Sequence, residues 1–380
     1  MKVAHVITNL DTGGAQMMLR RLVVALQIQG VENTVFTLEG DADPGDLARH
    51  DVGIHHLRMT RAWQAVGASV RLAQALRRAR PDVVHTWLYH ADLVGGVAAR
   101  LAGAAPVVWG LHHVVDDADP LKTGTRLVMR LNGRLSSRVP ARIICCAHAT
   151  RASHARLGYD DQKMVVITNG IDTDLFKPDP DARSTVRWEL GLPPEGMVIG
   201  LFARFHPQKD HRTFLEAAGR FRNFWPSAHF LLAGQGVDEH NPALRDHVRE
   251  FGLGGCCHML GRRHDVPRLM AACDVITSSS RSGEAFPLVL GEAMACGVPC
   301  VTTDVGDSSQ LVADTGRIVP PGDPAGLATA WAAILGLPDQ QRMRLGGAAR
   351  ECISTTHNLP RCVRAHREVY EAAIDRPFAS

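Results

Sequence analysis

Two cations, Arg204 and Lys209, follow an apolar run at residues 197–202 that has the composition of a β-strand. Arginine can clasp a diphosphate through paired hydrogen bonds and lysine adds a point charge. A loop carrying both at the carboxyl end of a parallel strand is a candidate anion site, although a solvated surface pair would look the same. Further on runs Ser278-Ser279-Ser280-Arg281-Ser282-Gly283-Glu284-Ala285-Phe286-Pro287-Leu288-Val289-Leu290-Gly291-Glu292. Here a strand ends, a small polar loop follows, and Pro287 is placed as the first residue of a helix that Gly297 closes. The N–H groups of Leu288 and Val289 would then point at an anion. Glu284 before the helix and Glu292 inside it can border one ligand from two levels. Glu292 lies among Leu290, Gly291, Ala293 and Met294, where a carboxylate is costly unless hydrogen-bonded. A helix-spaced pair on a solvated surface is the usual alternative, but the apolar surroundings and the flanking loop argue against it.

A third candidate is Asp11-Thr12-Gly13-Gly14-Ala15, directly after the first strand-like run. Gly13 and Gly14 allow close backbone approach, and the helix that follows offers free N–H groups at its positive end. With only these two glycines the segment is not G-x-G-x-x-G, which disfavours a nicotinamide dehydrogenase. For a lone glycine pair, a tight strand-to-helix turn is the better reading.

Strand-like and helical runs alternate almost throughout, as in an α/β protein with parallel sheets. Strands are expected at residues 3–8, 32–37, 83–86, 106–111, 142–146 and 164–168, with helices at 15–29, 66–80, 93–101 and 148–157. The second half restarts the pattern, with strands at 197–202, 228–233, 257–260, 274–278 and 299–303. The stretch 168–184, with Asn-Gly, two prolines and four aspartates, reads as a linker. Three helical segments close the chain, the last at about 360–374. The length of 380 residues suits two domains: residues 1–170, with a final helix at about 360–380 packing back on them, and residues 171–359.

A net charge of +3 is too balanced for a dedicated nucleic-acid binder. The charge is uneven, however: residues 1–170 hold 20 Lys and Arg against 14 Asp and Glu. Lys122, Arg126, Arg130, Arg134, Arg138 and Arg142 recur every four residues among Leu127, Val128, Met129, Leu131 and Leu135. This segment, 122–142, either rests its basic amphipathic face on anionic lipid or is a solvated face of a core-packed helix. Nothing reads as a signal peptide, and no uncharged run reaches the roughly 18 residues of a membrane span. A cytoplasmic protein is expected. Nine cysteines, including the adjacent pairs Cys145-Cys146 and Cys256-Cys257, read as reduced thiols. His85, His90, His112 and His113 flank two strand ends; without metal-ligand spacing they read as polar groups facing a ligand cleft, with His112 preferred.

The run from Gly261 to Pro321 resembles the signature of the family-4 retaining glycosyltransferases of the GT-B fold. Its core is the Glu-x7-Glu motif at Glu284 and Glu292. Further matches are Gly13-Gly14, Asn169-Gly170-Ile171-Asp172, Arg204 with Lys209, Gly234-Gln235-Gly236, Leu260-Gly261-Arg262, Thr303-Asp304-Val305-Gly306 and Pro320-Pro321-Gly322-Asp323. The resemblance implies two Rossmann-like domains facing each other across a cleft, and transfer of a sugar from a UDP- or GDP-sugar to a lipid-linked or cell-surface glycan. It implies that Arg204 and Lys209 neutralise the diphosphate without a metal or other cofactor, and that Glu284 holds donor-sugar hydroxyls. Phe286, Leu288 and Val289 would add backbone contacts, Glu292 would bind the ribose, and the segment at Arg262 the base. Gly14 would approach the diphosphate and His112 the reacting sugar. Two positions depart from the pattern: Ala285 replaces a glycine, and Ala147 stands where a serine is common. A GT-B sugar-nucleotide epimerase or phosphorylase, or a non-catalytic nucleotide-sugar-binding partner, would share much of this pattern.

Overall fold

The computed structural model describes residues 1–11, 13–40, 45–60, 64–103, 105–115 and 122–375. The contacts divide the chain into two units, Met1–Gly170 with Leu359–Ser380, and Ile171–Asn358.

Unit 1 runs β1 (Lys2–Ile7), α1 (Gly14–Ile28), β2 (Glu32–Thr37), α2 (Asp46–Arg49), β3 (Gly53–His56), α3 (Ala65–Ala79), β4 (Val83–Trp87) and α4 (Tyr89–Ala102). It continues with β5 (Val107–Leu111), α5 (Thr123–Leu135), β6 (Arg142–Cys145), α6 (His148–Arg156) and β7 (Met164–Val166). In unit 2 the order is α7 (Pro180–Glu189), β8 (Val198–Phe202), α8 (His211–Arg222), β9 (His229–Ala233), α9 (Pro242–Glu250), β10 (Cys257–Met259), α10 (Val266–Ala271) and β11 (Val275–Ser278). Then come α11 (Leu288–Ala295), β12 (Cys300–Thr303), α12 (Ser308–Val312), β13 (Gly316–Val319), α13 (Pro324–Leu335) and α14 (Asp339–Thr356). The last helix, α15 (Leu359–Asp375), returns to unit 1; the expected extension to 380 ends outside the described residues.

Every strand pair is parallel, in the order β3-β2-β1-β4-β5-β6-β7 in unit 1 and β10-β9-β8-β11-β12-β13 in unit 2. In each sheet the direction of winding reverses once, between β1 and β4 and between β8 and β11. Ligands of doubly wound sheets bind outside the carboxyl ends of the strands at such a point. Helices on both faces explain why β4 and β8 are buried at every residue.

One face of the unit 1 sheet buries Val6, Val84, Trp109 and Ile143 against α3, α4 and α5. The other buries Ile7, Trp87 and Val108 against α1 and α15. In unit 2, Phe214, Phe221, Phe230 and Trp331 cluster under α8 and α13, and the Trp331 indole donates to Thr277 Oγ1 at 2.8 Å. The side chain at Gly133 is missing for a reason: a Cβ there would press on the Leu157 carbonyl and Tyr159, so glycine lets α5 lie close.

Some elements differ from the sequence expectation. The strands β3 and β13, four residues each, lie at sheet edges and lack a strong apolar run. The supposed linker already contains α7, started by Asp179, whose side chain accepts from Ala182 N, with Pro180 in the first turn. Pro287 takes the cap position and α11 begins at Leu288.

A candidate nucleotide-sugar site at the carboxyl ends of β8 and β11

Arg204 and Lys209 follow β8, and Glu284 follows β11, so they flank the point where the unit 2 sheet reverses its winding. Phe202, Ala203, Lys209, Ser278, Ser280 and Val289 line a small recess there. Lys209 lies in a short 3-10 turn, Pro207–Lys209. Its Nζ bonds Glu284 Oε1, and the same oxygen accepts from Ser280 Oγ at 2.6 Å. Glu284 is buried. Burial alone would raise its pKa, but the Lys209 charge, the two hydrogen bonds and the Arg204 charge together hold it below the ordinary carboxylate value. Arg204 itself is exposed.

Several motif residues act on these groups through the main chain. Gly234 sits at φ 157, where a Cβ would overlap the Ala203 carbonyl, and Phe205 N donates to Gln235 O at 2.8 Å. Gly234 N bonds Gly261 O at 2.9 Å and Gly261 N bonds Val237 O at 2.7 Å. The turns after β8, β9 and β10 are thereby stacked edge to edge, with Arg262 exposed on the outermost. Gly306, at φ 59, leaves room for the Glu284 carbonyl, and Asp307 N donates to Ala285 O at 3.0 Å. The Thr303 hydroxyl donates to Ser280 O at 2.6 Å. The segment after β12 thus fixes the loop that carries Glu284.

In α11 the first backbone bonds are those of Leu290 and Gly291 to Pro287 O, at 3.1 and 3.4 Å. Leu288 and Val289 therefore present their N–H groups before the helical ladder starts. Glu292 is buried one turn further in, and the Phe286 ring packs 5.2 Å from His357. Arg204, Lys209, Arg262, Glu284, Phe286, Leu288, Val289 and Glu292 all belong to unit 2.

Gly13, Gly14 and His112 belong to unit 1 and lie at the carboxyl ends of β1 and β5. Gly13 caps α1 with extended backbone, and Gly14 opens the helix exposed. His112 stacks on Trp87 with ring centroids 4.7 Å apart at 16°. Among the described residues, neither of its ring nitrogens has a hydrogen-bond partner. Burial, with the nearby His366 imidazole, pushes its pKa down to about 3, so it is a neutral ring at neutral pH.

His85 corrects the sequence reading, which set it facing a ligand. It is fully buried, and its Nδ1 shares a 2.7 Å hydrogen bond with the Tyr370 hydroxyl on α15. The parallel register sets His5 beside His85 on one sheet face. His366 packs 5.9 Å from His85, and Trp87 donates to His5 Nδ1 at 3.3 Å. Among the described residues no three His, Cys, Asp or Glu side chains converge on a metal position. Two features escaped the sequence reading. Leu88, after β4, holds φ 70 and ψ 161, a region that ordinarily takes only glycine. Asp210, next to Lys209, is left-handed at φ 46. No residue type announces either.

Residues 12–175 match the family described as Glycosyltransferase Family 4, and residues 196–336 match Glycosyl transferases group 1. The chain is 28% identical over 246 residues to a UDP-Gal:alpha-D-GlcNAc-diphosphoundecaprenol alpha-1,3-galactosyltransferase of Escherichia coli, covering 64% of this chain and 63% of that protein. It is 30% identical over 311 residues to a phosphatidyl-myo-inositol mannosyltransferase of Mycolicibacterium smegmatis, covering 80% of this chain and 72% of that one. Anabaena HepE in complex with UDP-glucose superposes with a TM-score of 0.85 at 24% identity, over 98% of this chain and 100% of HepE. With matches in both units and a Glu-x7-Glu segment that runs from the loop after β11 to Glu292 on α11, the chain belongs to the family-4 glycosyltransferases and has the GT-B fold.

Proposed function

We propose that this chain moves a sugar from a UDP- or GDP-sugar to a hydroxyl of a lipid-linked or cell-surface glycan, with retention at the anomeric carbon. The observation that carries the reading is the Lys209–Glu284 contact at the winding reversal of unit 2. It sets a cation suited to a diphosphate beside a carboxylate suited to sugar hydroxyls. The anion-binding end of α11 begins four residues beyond that carboxylate. The galactosyltransferase relative, whose own name specifies a UDP-sugar and a lipid diphosphate acceptor, supports the same substrate class.

In this reading Arg204 and Lys209 offset the charge that develops on the diphosphate as its bond to the anomeric carbon breaks. The acceptor oxygen bonds to that carbon on the same face, and its proton passes to the departing diphosphate oxygen. Glu284 orients the sugar, Glu292 accepts from the ribose hydroxyls, and the main chain near Arg262 holds the base. Because two side chains supply the positive charge, transfer is proposed to need no metal. Unit 1 takes the acceptor side, with Gly13, Gly14 and His112 beyond the carboxyl ends of β1 and β5. Glu284→Ala should abolish transfer while leaving the thermal transition in place. Near-wild-type turnover by that variant would refute the assignment.

The acceptor class also concerns α5. Arg126, Arg130 and Arg134 are exposed, and so are Leu127 and Leu131 beside them. Exposed leucines flanked by arginines suit an anionic lipid surface, and we place the enzyme peripherally at the inner face of the plasma membrane. No helix among the described residues is long and apolar enough to cross a membrane. Co-sedimentation with phosphatidylglycerol vesicles, lost on Leu127→Ser with Leu131→Ser, is the expected outcome. Equal recovery with phosphatidylcholine vesicles would contradict it.

A further inference from the structure

Asp210 holds a left-handed backbone, φ 46 and ψ 56, directly after Lys209. Aspartate is among the few non-glycine residues that enter that region, because its short side chain can hydrogen-bond locally. The carboxylate is buried and has three donors. Thr213 N lies at 3.2 Å, Thr213 Oγ1 at 2.7 Å and Arg281 Nε at 2.9 Å. The first two cap α8. The third reaches across to the loop that carries Glu284.

Two more bonds join the same pair of loops. Arg281 N donates to Gln208 O at 2.7 Å, and Ser279 Oγ donates to Lys209 O at 2.8 Å. The Lys209–Glu284 contact lies beyond them. A cation on one loop and a carboxylate on the other are therefore spaced by a row of bonds, of which Asp210–Arg281 is the only one made between two charged side chains other than Lys209–Glu284 itself. Its guanidinium side chain is 63% exposed, which leaves little packing for Arg281 to contribute to stability.

We propose that Asp210 and Arg281 are positioning residues that set the distance between the diphosphate and sugar subsites. This rests on the reading of Lys209 and Glu284 as a donor site. Asp210 locks the Lys209 turn to α8, and Arg281 carries that lock to the Glu284 loop. Removing either leaves a diphosphate with its cations but lets the carboxylate drift from the sugar. The pair acts on the nucleotide sugar and hardly at all on the nucleotide alone.

The test is a set of calorimetric titrations with UDP, UDP-glucose, GDP and GDP-mannose, on the wild type, Arg281→Ala, Asp210→Gly, Asp210→Asn and Glu284→Gln. For the base that binds, Arg281→Ala should keep the nucleotide dissociation constant within about twofold, while the ratio of nucleotide to nucleotide-sugar dissociation constants moves about tenfold, as in Glu284→Gln. Asp210→Gly relieves the backbone but should show the same loss. Asp210→Asn keeps one acceptor oxygen, which can take Arg281 Nε and Thr213 Oγ1 but then turns its NH2 toward Thr213 N, and should recover the ratio only in part. An unchanged ratio in Arg281→Ala, with Glu284→Gln altered, would overturn the inference and spare the donor site. Equal weakening of nucleotide and nucleotide sugar would make Arg281 a diphosphate contact and also overturn it. Failure of the wild type to bind any of the four, or an unchanged ratio in Glu284→Gln, would bring down the donor-site reading itself.

Discussion

Glu284 is buried and yet charged, because Lys209, Ser280 and Arg204 surround it. The position of its carboxylate depends on a residue far along the chain. Gly306 touches the Glu284 carbonyl at a backbone angle that disfavours any side chain. Gly306→Ala should therefore cost about 1–3 kcal/mol of stability and at least about tenfold in turnover, as measured by thermal unfolding and by steady-state transfer. A variant with normal stability and turnover would show that the Thr303–Gly306 segment does not seat the loop. The residue types of this site were readable in sequence: Arg204, Lys209, Glu284 and Glu292 announce themselves by chemistry and spacing. Gly306 was visible only as a piece of a motif, because the contact that needs a glycine spans more than twenty residues. Nothing in the residue types of Asp210 and Arg281 marks them; the left-handed backbone and the shared hydrogen bond set them apart.

Among the elements, α15 has the most unusual chemistry under it. It covers the sheet face where His5 and His85 sit side by side, and contributes His366 and Tyr370. Tyr370→Phe removes the partner of His85 Nδ1 within a buried cluster and should cost about 1–3 kcal/mol, read as a lower thermal midpoint. In unit 2 the corresponding buried polar contact joins α7 to the start of β11. Arg187 pairs with Asp274 at 2.8 Å, both buried, and also donates to the Pro194 carbonyl at 2.9 Å. Arg187→Met would leave Asp274 with Arg183 and Val198 N, so the buried carboxylate stays partly compensated, and the change should cost about 1–3 kcal/mol. Alternation of apolar runs and helices made the two parallel sheets legible. The helix α7 was hidden by its prolines and aspartates, which mark its start rather than a loop. The edge strands β3 and β13 were too short for an apolar period to show. The burial of His85 depends on Gly110, since a Cβ there would meet the imidazole, and that cross-strand fit has no signature along the chain.

At the scale of the molecule, buried histidines are concentrated in unit 1. His5, His154 and His366 are pushed down to about 4 and His112 to about 3, each by burial first. In unit 2, burial lowers His211 to about 4. An unfolded histidine takes up its proton near pH 6.5, whereas these folded rings do so only near pH 3–4. Their contribution is therefore complete above pH 6.5 and is lost as the pH falls toward the folded values, at about 2 kcal/mol per ring by pH 5. Hydrogen exchange at pH 5 against pH 7, corrected for intrinsic rates, should show protection lost first in unit 1. Equal loss in both units would contradict this. The charge asymmetry between the two halves was plain in the sequence and finds a place on α5, where the exposed arginines lie beside exposed leucines. The most direct measurement of the central claim is titration of the wild type and Lys209→Ala with UDP, GDP and their sugars in the presence of a chelator. The account predicts binding by the wild type without metal and at least about tenfold weaker binding by Lys209→Ala. No binding by a folded wild type, or equal binding by Lys209→Ala, would contradict it.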